Sequence, residues 1–317
     1  MVEPGRAARP ASRLIVGAAQ LGQPYGRRRK PAPTDDETRA VLDLAARLGC
    51  AAVDTARAYG ASEAVIGRAR AAGVATELPL VTKALPLTDL DDARGVEAAV
   101  RASLAASLTH LHAERVDTVL LHRAVDLSRA EGAAVRALRS ARDDGLLTTW
   151  GVSVSEPAEL VAALAVTDLG AVQLPFNLLD RRWLRADVEA ALAARLDVTI
   201  VARSVFLQGL LLHPEPSLWP SGAEPSARAA ASGIAGLTTE TGRTPAGLCI
   251  GYALAQPWID AVVIGVRSAA QLDGVADEVA RGPLAREECE AVAGVLPAGT
   301  LNLVNPALWP TYEVEHV

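Results

Sequence analysis

The sequence predicts an α/β protein that folds as a single (β/α)8 TIM barrel. Eight short apolar segments alternate with helical segments along the chain, an order that is typical of a barrel of parallel strands. The apolar segments are continuous, as expected of strands that are buried on both faces. The main alternative is an open doubly wound sheet, which should carry a GxGxxG phosphate turn after its first strand. The segment in question, VGAAQLGQPYG, lacks that turn, so the barrel is favoured.

The predicted strands are short runs of small, aliphatic and β-branched residues bounded by turn residues. Pro86 ends the third strand, because proline cannot donate to a strand ladder. In chain order the strands are predicted at Leu14–Gln20, Ala51–Thr55, Leu78–Leu85, Asp117–His122, Thr149–Val154, Ala171–Asn177, Val198–Ser204 and Ala261–Val266. No second group of strands follows, so we expect one domain at 13–317 after a disordered tail at 1–12.

The predicted helices are recognised by their start and stop signals. Thr34 caps the first helix and Glu37 follows three residues later, which is the capping-box pattern. Gly49 stops this helix after Leu48. The other helices are predicted at Ser62–Ala72, Val96–Leu111, Glu131–Asp144, Pro157–Leu164, Arg185–Arg195, Ala227–Thr239, Pro245–Ala255, Ser268–Ala280 and Ala285–Val295.

Composition and charge exclude several classes of function. The net charge of −6 and the pI near 5.5 argue against nucleic acid as a partner, because phosphate binding requires basic surfaces. No apolar run approaches the roughly 18 residues that cross a membrane, and the first residues lack the apolar region of a secretory signal. The three cysteines are widely spaced and fit neither a disulfide framework nor a metal site. We therefore expect a small-molecule partner and a cytoplasmic location.

Polar residues lie at the ends of three consecutive predicted strands. Asp54 ends the second strand with Tyr59 on the loop beyond it, Lys83 lies in the third strand, and His122 ends the fourth. Active sites of TIM barrels lie at the carboxyl ends of the strands. Lys83 is one of two lysines in the chain, and lysine, unlike arginine, changes its pKa readily when buried.

These four residues together fit the reduction of a carbonyl group. Taken singly, each is more often structural: a turn-forming aspartate, a wall tyrosine, a paired lysine or a core histidine. Taken jointly, they converge because consecutive strands of a barrel are neighbours. A tyrosine is a poor acid at neutral pH until a cation lies beside it. Lys83 can supply that cation, Asp54 can orient it, and His122 can direct the substrate oxygen.

The motifs that carry these residues resemble those of the aldo-keto reductase family. DTARAYG with SEAVIGRA resembles the family's aspartate-to-tyrosine segment, VTKAL its lysine strand and DTVLLHR its histidine strand. The resemblance extends from about Leu14 to Ala280, and AAQLGQPYG is similar to a bacterial branch of the family. It implies a nicotinamide cofactor, usually NADPH, that binds the barrel without a Rossmann domain. It also implies a catalytic tetrad of Asp54, Tyr59, Lys83 and His122.

The resemblance further implies a set of cofactor-binding residues. Ser153 in TWGVSV and Gln173 in AVQLPFN would contact the nicotinamide carboxamide, and Arg203 stands where an aromatic residue commonly stacks on the ring. The others would hold the phosphates, from the loop after the seventh strand and from the helix N-terminus after the eighth. They are Ser204, Leu207, Gly209, Gly265, Arg267, Ser268 and Gln271.

Three departures from the family pattern affect the cofactor. Val154 replaces an asparagine beside the carboxamide, which removes one expected hydrogen bond. Arg203 replaces the aromatic residue, although a guanidinium can also stack on a flat ring. Gly274 and Val275 replace a Glu-Asn pair near the adenine, so NADH is an alternative to NADPH, with Arg267 favouring NADPH.

Three functions are consistent with this pattern. The preferred hypothesis is NADPH-dependent reduction of an aldehyde or ketone, for example a sugar or a secondary-metabolite intermediate, with Tyr59 as general acid. The same site run in the oxidative direction would be an NAD(P)+-dependent aldose or alcohol dehydrogenase, with Tyr59 as base. A non-catalytic subunit that senses the cofactor is the third hypothesis, and the intact tetrad argues against it. The oligomeric state does not follow from the sequence.

Overall fold

The structure is a closed barrel of eight parallel strands surrounded by helices. The computed structural model describes residues 10–26, 30–213 and 215–309. The strands are β1 (Leu14–Gly17), β2 (Ala52–Asp54), β3 (Leu80–Lys83), β4 (Val116–Leu121), β5 (Leu147–Ser153), β6 (Ala171–Pro175), β7 (Thr199–Arg203) and β8 (Ala261–Gly265). Each strand pairs in parallel with the next strand in the chain, and β8 pairs with β1 to close the ring. The predicted (β/α)8 barrel is confirmed.

Helices connect the strands and form the outer layer. They are α1 (Ala19–Gly22), α2 (Asp35–Leu48), α3 (Ser62–Ala71), α4 (Ala93–Leu111), α5 (Ala133–Asp143), α6 (Pro157–Leu164), α7 (Ala186–Ala193), α8 (Glu224–Thr241), α9 (Pro245–Leu254), α10 (Ala269–Ala280), α11 (Arg286–Val295) and α12 (Leu301–Val304). The predicted helices are all present, with ends that differ by a few residues. The unpredicted α1 and α12 are single turns, too short to show a periodic pattern. Within the described ranges no helix has the length and apolar character to cross a membrane.

The first long helix, α2, is fixed at both ends by its own sequence. The Thr34 N–H donates to Glu37 Oε2 at 2.8 Å, and the Glu37 N–H donates to the Thr34 hydroxyl oxygen at 3.3 Å. Beyond Leu48, Gly49 takes a φ of 72°, a left-handed conformation that glycine adopts without strain. The capping box and the glycine stop expected from the sequence are both confirmed.

Several strands end earlier than the sequence predicts. β2 ends at Asp54 and β4 ends at Leu121, so Thr55 and His122 lie on the loops that follow. Gln20 lies in helix α1 rather than in β1, because the chain turns once the β1 ladder ends. Polar residues that terminate a predicted strand are therefore held by short loops at the carboxyl end of the barrel.

The alternation of side chains along the strands separates an apolar layer from a polar one. Side chains two positions apart on a strand point to the same side. A small buried cluster from four strands packs together with Val81 and Val263, and consists of Ile15, Ala52, Val201 and Ala261. The next residues on these same faces, two positions closer to the carboxyl ends, are Gly17, Asp54, Lys83, Arg203 and Gly265. The barrel core thus supports the polar residues from one side.

Regular structure begins before the predicted domain boundary. Pro10–Arg13 form a 3-10 helix, and the Arg13 guanidinium donates to the backbone oxygens of Asp260, at 3.0 Å, and Ile259. These bonds anchor the segment to the turn before β8. The predicted tail at 1–12 therefore ends in an anchored turn, and residues 1–9 lie outside the described part of the chain.

We expect Gly151→Ala to destabilise the barrel strongly. A Cβ atom at Gly151 would lie 2.0 Å from the backbone oxygen of Ala171, its partner in the β5–β6 register. The strands would have to separate, which should cost about 2 kcal/mol or more of the free energy of unfolding. Gly294→Ala is the matched control, because a Cβ atom there meets open space within α11. Thermal unfolding should show a large decrease in the melting temperature for Gly151→Ala and no decrease for Gly294→Ala. Equal stability of the two variants would contradict the strand register.

Candidate active site

An ion pair between Lys83 and Asp54 lies at the centre of the site. The Lys83 ammonium donates to the two oxygens of Asp54, at 2.7 and 2.8 Å, and to the backbone oxygen of Thr55 at 3.0 Å. The side chains of Lys83 and Asp54 are 1% and 4% exposed. Burial acts to lower the pKa of Lys83, but the attraction of the Asp54 carboxylate helps to outweigh it, so the pKa is raised and the ammonium stays charged.

Tyr59 lies next to this cation, on the loop between β2 and α3. The Lys83 Nζ atom is 5.0 Å from the centroid of the Tyr59 ring. The Tyr59 N–H donates to the backbone oxygen of Ala56 at 3.0 Å, and the Arg57 N–H donates to that of Lys83 at 3.1 Å. The loop that carries the phenol is therefore tied to the strand that carries the lysine.

A buried carboxylate, Glu63, braces the same loop. Its side chain is 2% exposed and accepts from the Thr82 hydroxyl at 2.7 Å and from the Arg57 guanidinium at 2.5 Å. Glu63 thus joins the loop before Tyr59 to the residue before Lys83. Sequence reasoning did not single out Glu63, although it lies within the SEAVIGRA motif.

His122 directly follows β4 and lies against Tyr59. The centroids of the two rings are 6.0 Å apart and their planes are at 89°, an edge-to-face contact. Burial, followed by the positive charges of Lys83 and Arg203, lowers the pKa of His122 to about 4. The imidazole is therefore neutral at physiological pH and has one N–H group to donate. The structure brings all four predicted tetrad residues together.

Gln173 and Ser153 extend this network from β6 and β5. The Gln173 side-chain amide donates to Asp54 Oδ2 at 2.7 Å, so the carboxylate accepts from both Lys83 and Gln173. Ser153 pairs with Gln173 in the strand register and is also buried. Sequence reasoning assigned Gln173 to the cofactor alone, because no local pattern relates it to an aspartate 119 positions earlier.

Arg203, the last residue of β7, brings a second cation to the site. Its guanidinium donates to the backbone oxygen of Val154 at 3.1 Å and to the hydroxyls of Ser155 and Ser204, both at 3.3 Å. Burial lowers the pKa of Arg203, while Tyr59 acts in the opposite direction. The guanidinium thus has only neutral hydrogen-bond acceptors, and its charge interacts with Tyr59 and His122.

A cleft of ≈ 880 Å³ opens beside these residues and extends to the start of α10. Its size lies within the range of about 300–1,000 Å³ that is usual for small-molecule sites. Asp54, Tyr59 and His122 line it, whereas Lys83 is fully buried. The predicted cofactor residues that line the cleft are Ser153, Gln173, Arg203, Ser204, Gly209, Gly265, Arg267 and Gln271.

Two predicted cofactor residues are placed differently. The side chain of Leu207 is fully buried in the hydrophobic core, so any contact with a ligand is limited to its backbone. Ser268 caps α10, and its hydroxyl oxygen accepts from the Gln271 N–H at 3.3 Å. The Leu207 side chain thus packs in the core, and the Ser268 side chain caps α10.

Arg267 lines the cleft but is bonded to the first loop. Its guanidinium donates to the backbone oxygens of Pro31 and, at 3.4 Å, Lys30. The backbone N–H of Arg267 donates to the side-chain oxygen of Gln271 at 2.9 Å. Arg267 therefore joins the loop after β1 to the start of α10 at the edge of the cleft.

The groups along the cleft fit a nicotinamide dinucleotide. Beside the tetrad, the Ser153 hydroxyl and the Gln173 amide are suitable partners for a carboxamide. In the loop after β7, Ser204, Gln208 and Gly209 have φ values of 59°, 55° and 91°, and left-handed turns of this kind can present N–H groups to an anion. At the far end lies the N-terminus of α10, whose dipole favours phosphate.

The cleft also contains residues that sequence reasoning did not assign. Arg123 could have been found, because it directly follows His122 in DTVLLHR. Thr244 and Glu278 come from two different helical segments and are joined by a hydrogen bond of 2.7 Å. No single motif contains both, so their meeting in the cleft follows only from the packing of α9 against α10.

The lowered pKa of His122 predicts a specific sensitivity to acid. Between about pH 6.5 and about pH 4 the unfolded chain binds a proton at this histidine and the folded chain does not. The contribution of His122 to the free energy of unfolding should therefore be constant above about pH 6.5, and the free energy of unfolding should decrease as the pH falls towards about 4. Replacing His122 with Gln should reduce this loss by about 1–3 kcal/mol.

Two measurements check this prediction. An NMR titration of the histidine rings should show one with a pKa near 4, absent from His122→Gln. Denaturant unfolding of both proteins at about pH 4.5 and about pH 7.5 should show the smaller acid-induced loss in the variant. The same loss in both proteins would contradict a neutral, buried His122.

The chain is similar to known proteins over most of its length. The family model for the aldo/keto reductase family matches residues 13–297. An aldo-keto reductase of Mycobacterium tuberculosis is 43% identical over 90 residues, which are 28% of this chain and 30% of that protein. A D-threo-aldose 1-dehydrogenase of a Pseudomonas species is 32% identical over 232 residues, 64% of this chain and 68% of that protein. The chain spans about 30% of the length of the Mycobacterium tuberculosis relatives it matches.

Solved structures share the fold. An aldo-keto reductase from Bacillus halodurans in its holo form superposes with a TM-score of 0.71 at 20% identity, over 90% of this chain and 93% of that one. A putative aldo-keto reductase from Pseudomonas aeruginosa gives a TM-score of 0.62 at 21% identity, over 86% and 90% of the two chains. Aldo/keto reductase family members are NAD(P)H-dependent oxidoreductases. With the family model matched from residue 13 to residue 297, the chain belongs to the aldo/keto reductase family.

Proposed function

We propose that this chain is an NADPH-dependent oxidoreductase that reduces an aldehyde or ketone to an alcohol, with Tyr59 as general acid. The observation that carries the proposal is the buried, charged Lys83 ammonium, 5.0 Å from the Tyr59 ring centroid and held by Asp54. A fixed positive charge beside a phenol stabilises the phenolate that remains after the proton has been donated. The pair is shielded from water, so its charge is little screened.

Each residue of the site has a distinct task in this proposal. Ser153 and Gln173 would hold the carboxamide of a nicotinamide, which supplies the hydride when bound. His122, neutral at the working pH, donates a hydrogen bond to the substrate oxygen and fixes its direction. Tyr59 then protonates that oxygen. Asp54 keeps the Lys83 ammonium in place throughout, with the help of the Gln173 amide.

The oxidative direction is the second candidate function. A relative of 32% identity is named a D-threo-aldose 1-dehydrogenase, and the same tetrad can act on an alcohol or a sugar hemiacetal with Tyr59 as base. Initial rates on a panel of aldehydes, ketones and aldoses, followed by nicotinamide absorbance, separate the two. Faster oxidation of an aldose than reduction of every carbonyl compound would replace our first choice.

The small-molecule partner and the cytoplasmic location remain part of the proposal. Cys50, Cys249 and Cys289 are all free, as a reducing compartment would keep them. Burial raises the pKa of Cys50 to about 11, so this thiol is unreactive at neutral pH.

Replacing Tyr59 with Phe should abolish most of the reduction while leaving cofactor binding largely intact. The change removes only the acidic hydroxyl, and a general acid typically contributes about 10²–10⁴-fold to the rate. Tyr252→Phe is the matched control, because Tyr252 is buried against Phe176, with ring centroids 5.6 Å apart, and does not line the cleft. Steady-state kinetics and NADPH titration check both variants. A Tyr59→Phe variant that turns over at the rate of the control would refute the acid assignment.

Replacing Arg267 with Ala should weaken NADPH binding more than NADH binding. Only NADPH carries the 2′-phosphate that this guanidinium at the cleft edge would meet. Loss of the bonds to Lys30 and Pro31 affects both cofactors equally, so the ratio of the two dissociation constants isolates the phosphate contact. We expect that ratio to change about tenfold, the effect of one charge-assisted contact. Arg286→Ala, which removes an exposed charge on α11, is the control. Equal weakening of the binding of both cofactors by Arg267→Ala would show that Arg267 only anchors the loop after β1.

A further inference from the structure

Arg203 is a cation of the cleft whose charge is not balanced by an adjacent carboxylate. All of its hydrogen-bond acceptors are neutral: the Val154 backbone oxygen and the Ser155 and Ser204 hydroxyls. Among the described residues, no carboxylate lies at ion-pair distance from its guanidinium. Lys83 differs in this respect, because both oxygens of Asp54 face its ammonium.

The two carboxylates that act to raise the pKa of Arg203, Asp54 and Glu159, are hydrogen-bonded to other groups. Asp54 accepts from Lys83 and Gln173. Glu159 accepts from the backbone N–H groups of Ser155, at 2.6 Å, and Glu156, at 3.1 Å. Arg203 lines the cleft and is hydrogen-bonded there only to neutral acceptors, so its positive charge acts on a group that binds in the cleft.

The field of Arg203 reaches the place where a nicotinamide ring would bind. The guanidinium bonds to the oxygen of Val154, the residue after Ser153. Arg203 pairs with Pro175 in the β6–β7 register, two positions beyond Gln173. The same charge helps to lower the pKa of His122. Arg203 thus borders the space between the two carboxamide contacts and the tetrad.

We propose that Arg203 makes the cleft discriminate between the redox states of its cofactor, so that the reduced form binds more tightly than the oxidised form. The inference rests on the proposed function, because it requires that a nicotinamide binds here. The reduced ring is neutral and the oxidised ring carries one positive charge, which a neighbouring guanidinium repels. The two forms share their phosphates and adenosine, so contacts to those groups cancel from the ratio of their affinities.

The choice of residue type at this position decides the sign of the effect. The negative face of an aromatic side chain attracts a cation and would favour the oxidised ring. A guanidinium can stack on the same ring but repels its charge. In a reductase supplied with excess reduced cofactor, Arg203 therefore promotes release of the oxidised form and weakens inhibition by it.

The test is a direct measurement of binding. Dissociation constants for NADPH and NADP+, and for NADH and NAD+, are measured by calorimetry for the wild-type chain and for Arg203→Met, Arg203→Lys and Arg123→Met. Methionine keeps the length of the side chain and removes its charge, while lysine keeps the charge. Arg123 is the matched control, since it lines the same cleft but has the carboxylate of Asp126 at 3.9 Å.

We expect the wild-type chain to bind the reduced form more tightly, and Arg203→Met to reduce that preference about tenfold. A tenfold change corresponds to about 30 mV in the potential of the bound two-electron couple. Arg203→Lys and Arg123→Met should each retain most of the preference. An unchanged ratio in Arg203→Met, or the same change in Arg123→Met, would overturn the inference. Failure of the wild-type chain to bind either form would instead refute the proposed function, and thermal unfolding identifies any variant that does not fold.

Discussion

The buried ion pair of Lys83 and Asp54 is the interaction on which the rest of the site depends. Removing either partner would leave an uncompensated charge in the barrel, at a cost of about 3–5 kcal/mol. The pair is retained because every proton of the ammonium finds an acceptor and the carboxylate also accepts from Gln173. A permanent cation results, and it acts on both of its aromatic neighbours: it lies beside Tyr59 and helps to keep His122 neutral.

The barrel makes this arrangement possible through the alternation of its strands. The apolar residues Ala52, Val81 and Val201 pack together, and the polar residues two positions further on share their faces. The apolar layer excludes water from below the ion pair, which strengthens its attraction. The hydrogen bonds of Glu63 and of the β2–α3 loop then fix the phenol relative to the strand that bears the lysine. The apolar residues that stabilise the barrel and the polar residues of the site therefore lie in adjacent layers of the same strands.

The two cations of the site differ in their partners, and this difference gives them different tasks. Lys83 is neutralised by a carboxylate and is hidden behind the cleft surface, so it acts over a short distance on Tyr59. Arg203 has neutral partners and lines the cleft, so its charge acts on whatever binds there. Burial already opposes this charge, and a second positive charge beside it is unfavourable. The electrostatics of the cleft thus favour neutral or anionic groups next to Arg203.

The sequence by itself determined the order of the elements and predicted the four residues that the structure brings together around Lys83. Apolar runs, capping residues such as Thr34 and stop residues such as Gly49 are local signals, and parallel strands that follow each other in a barrel must be neighbours. Only the tertiary structure decided which distant side chains meet: Gln173 with Asp54, and Arg267 with the backbone of the first loop. The tertiary structure also placed the Leu207 side chain in the core and bonded Arg13 to the turn before β8. Contacts of this kind depend on strand register and loop path, which the periodicity of a single segment does not encode.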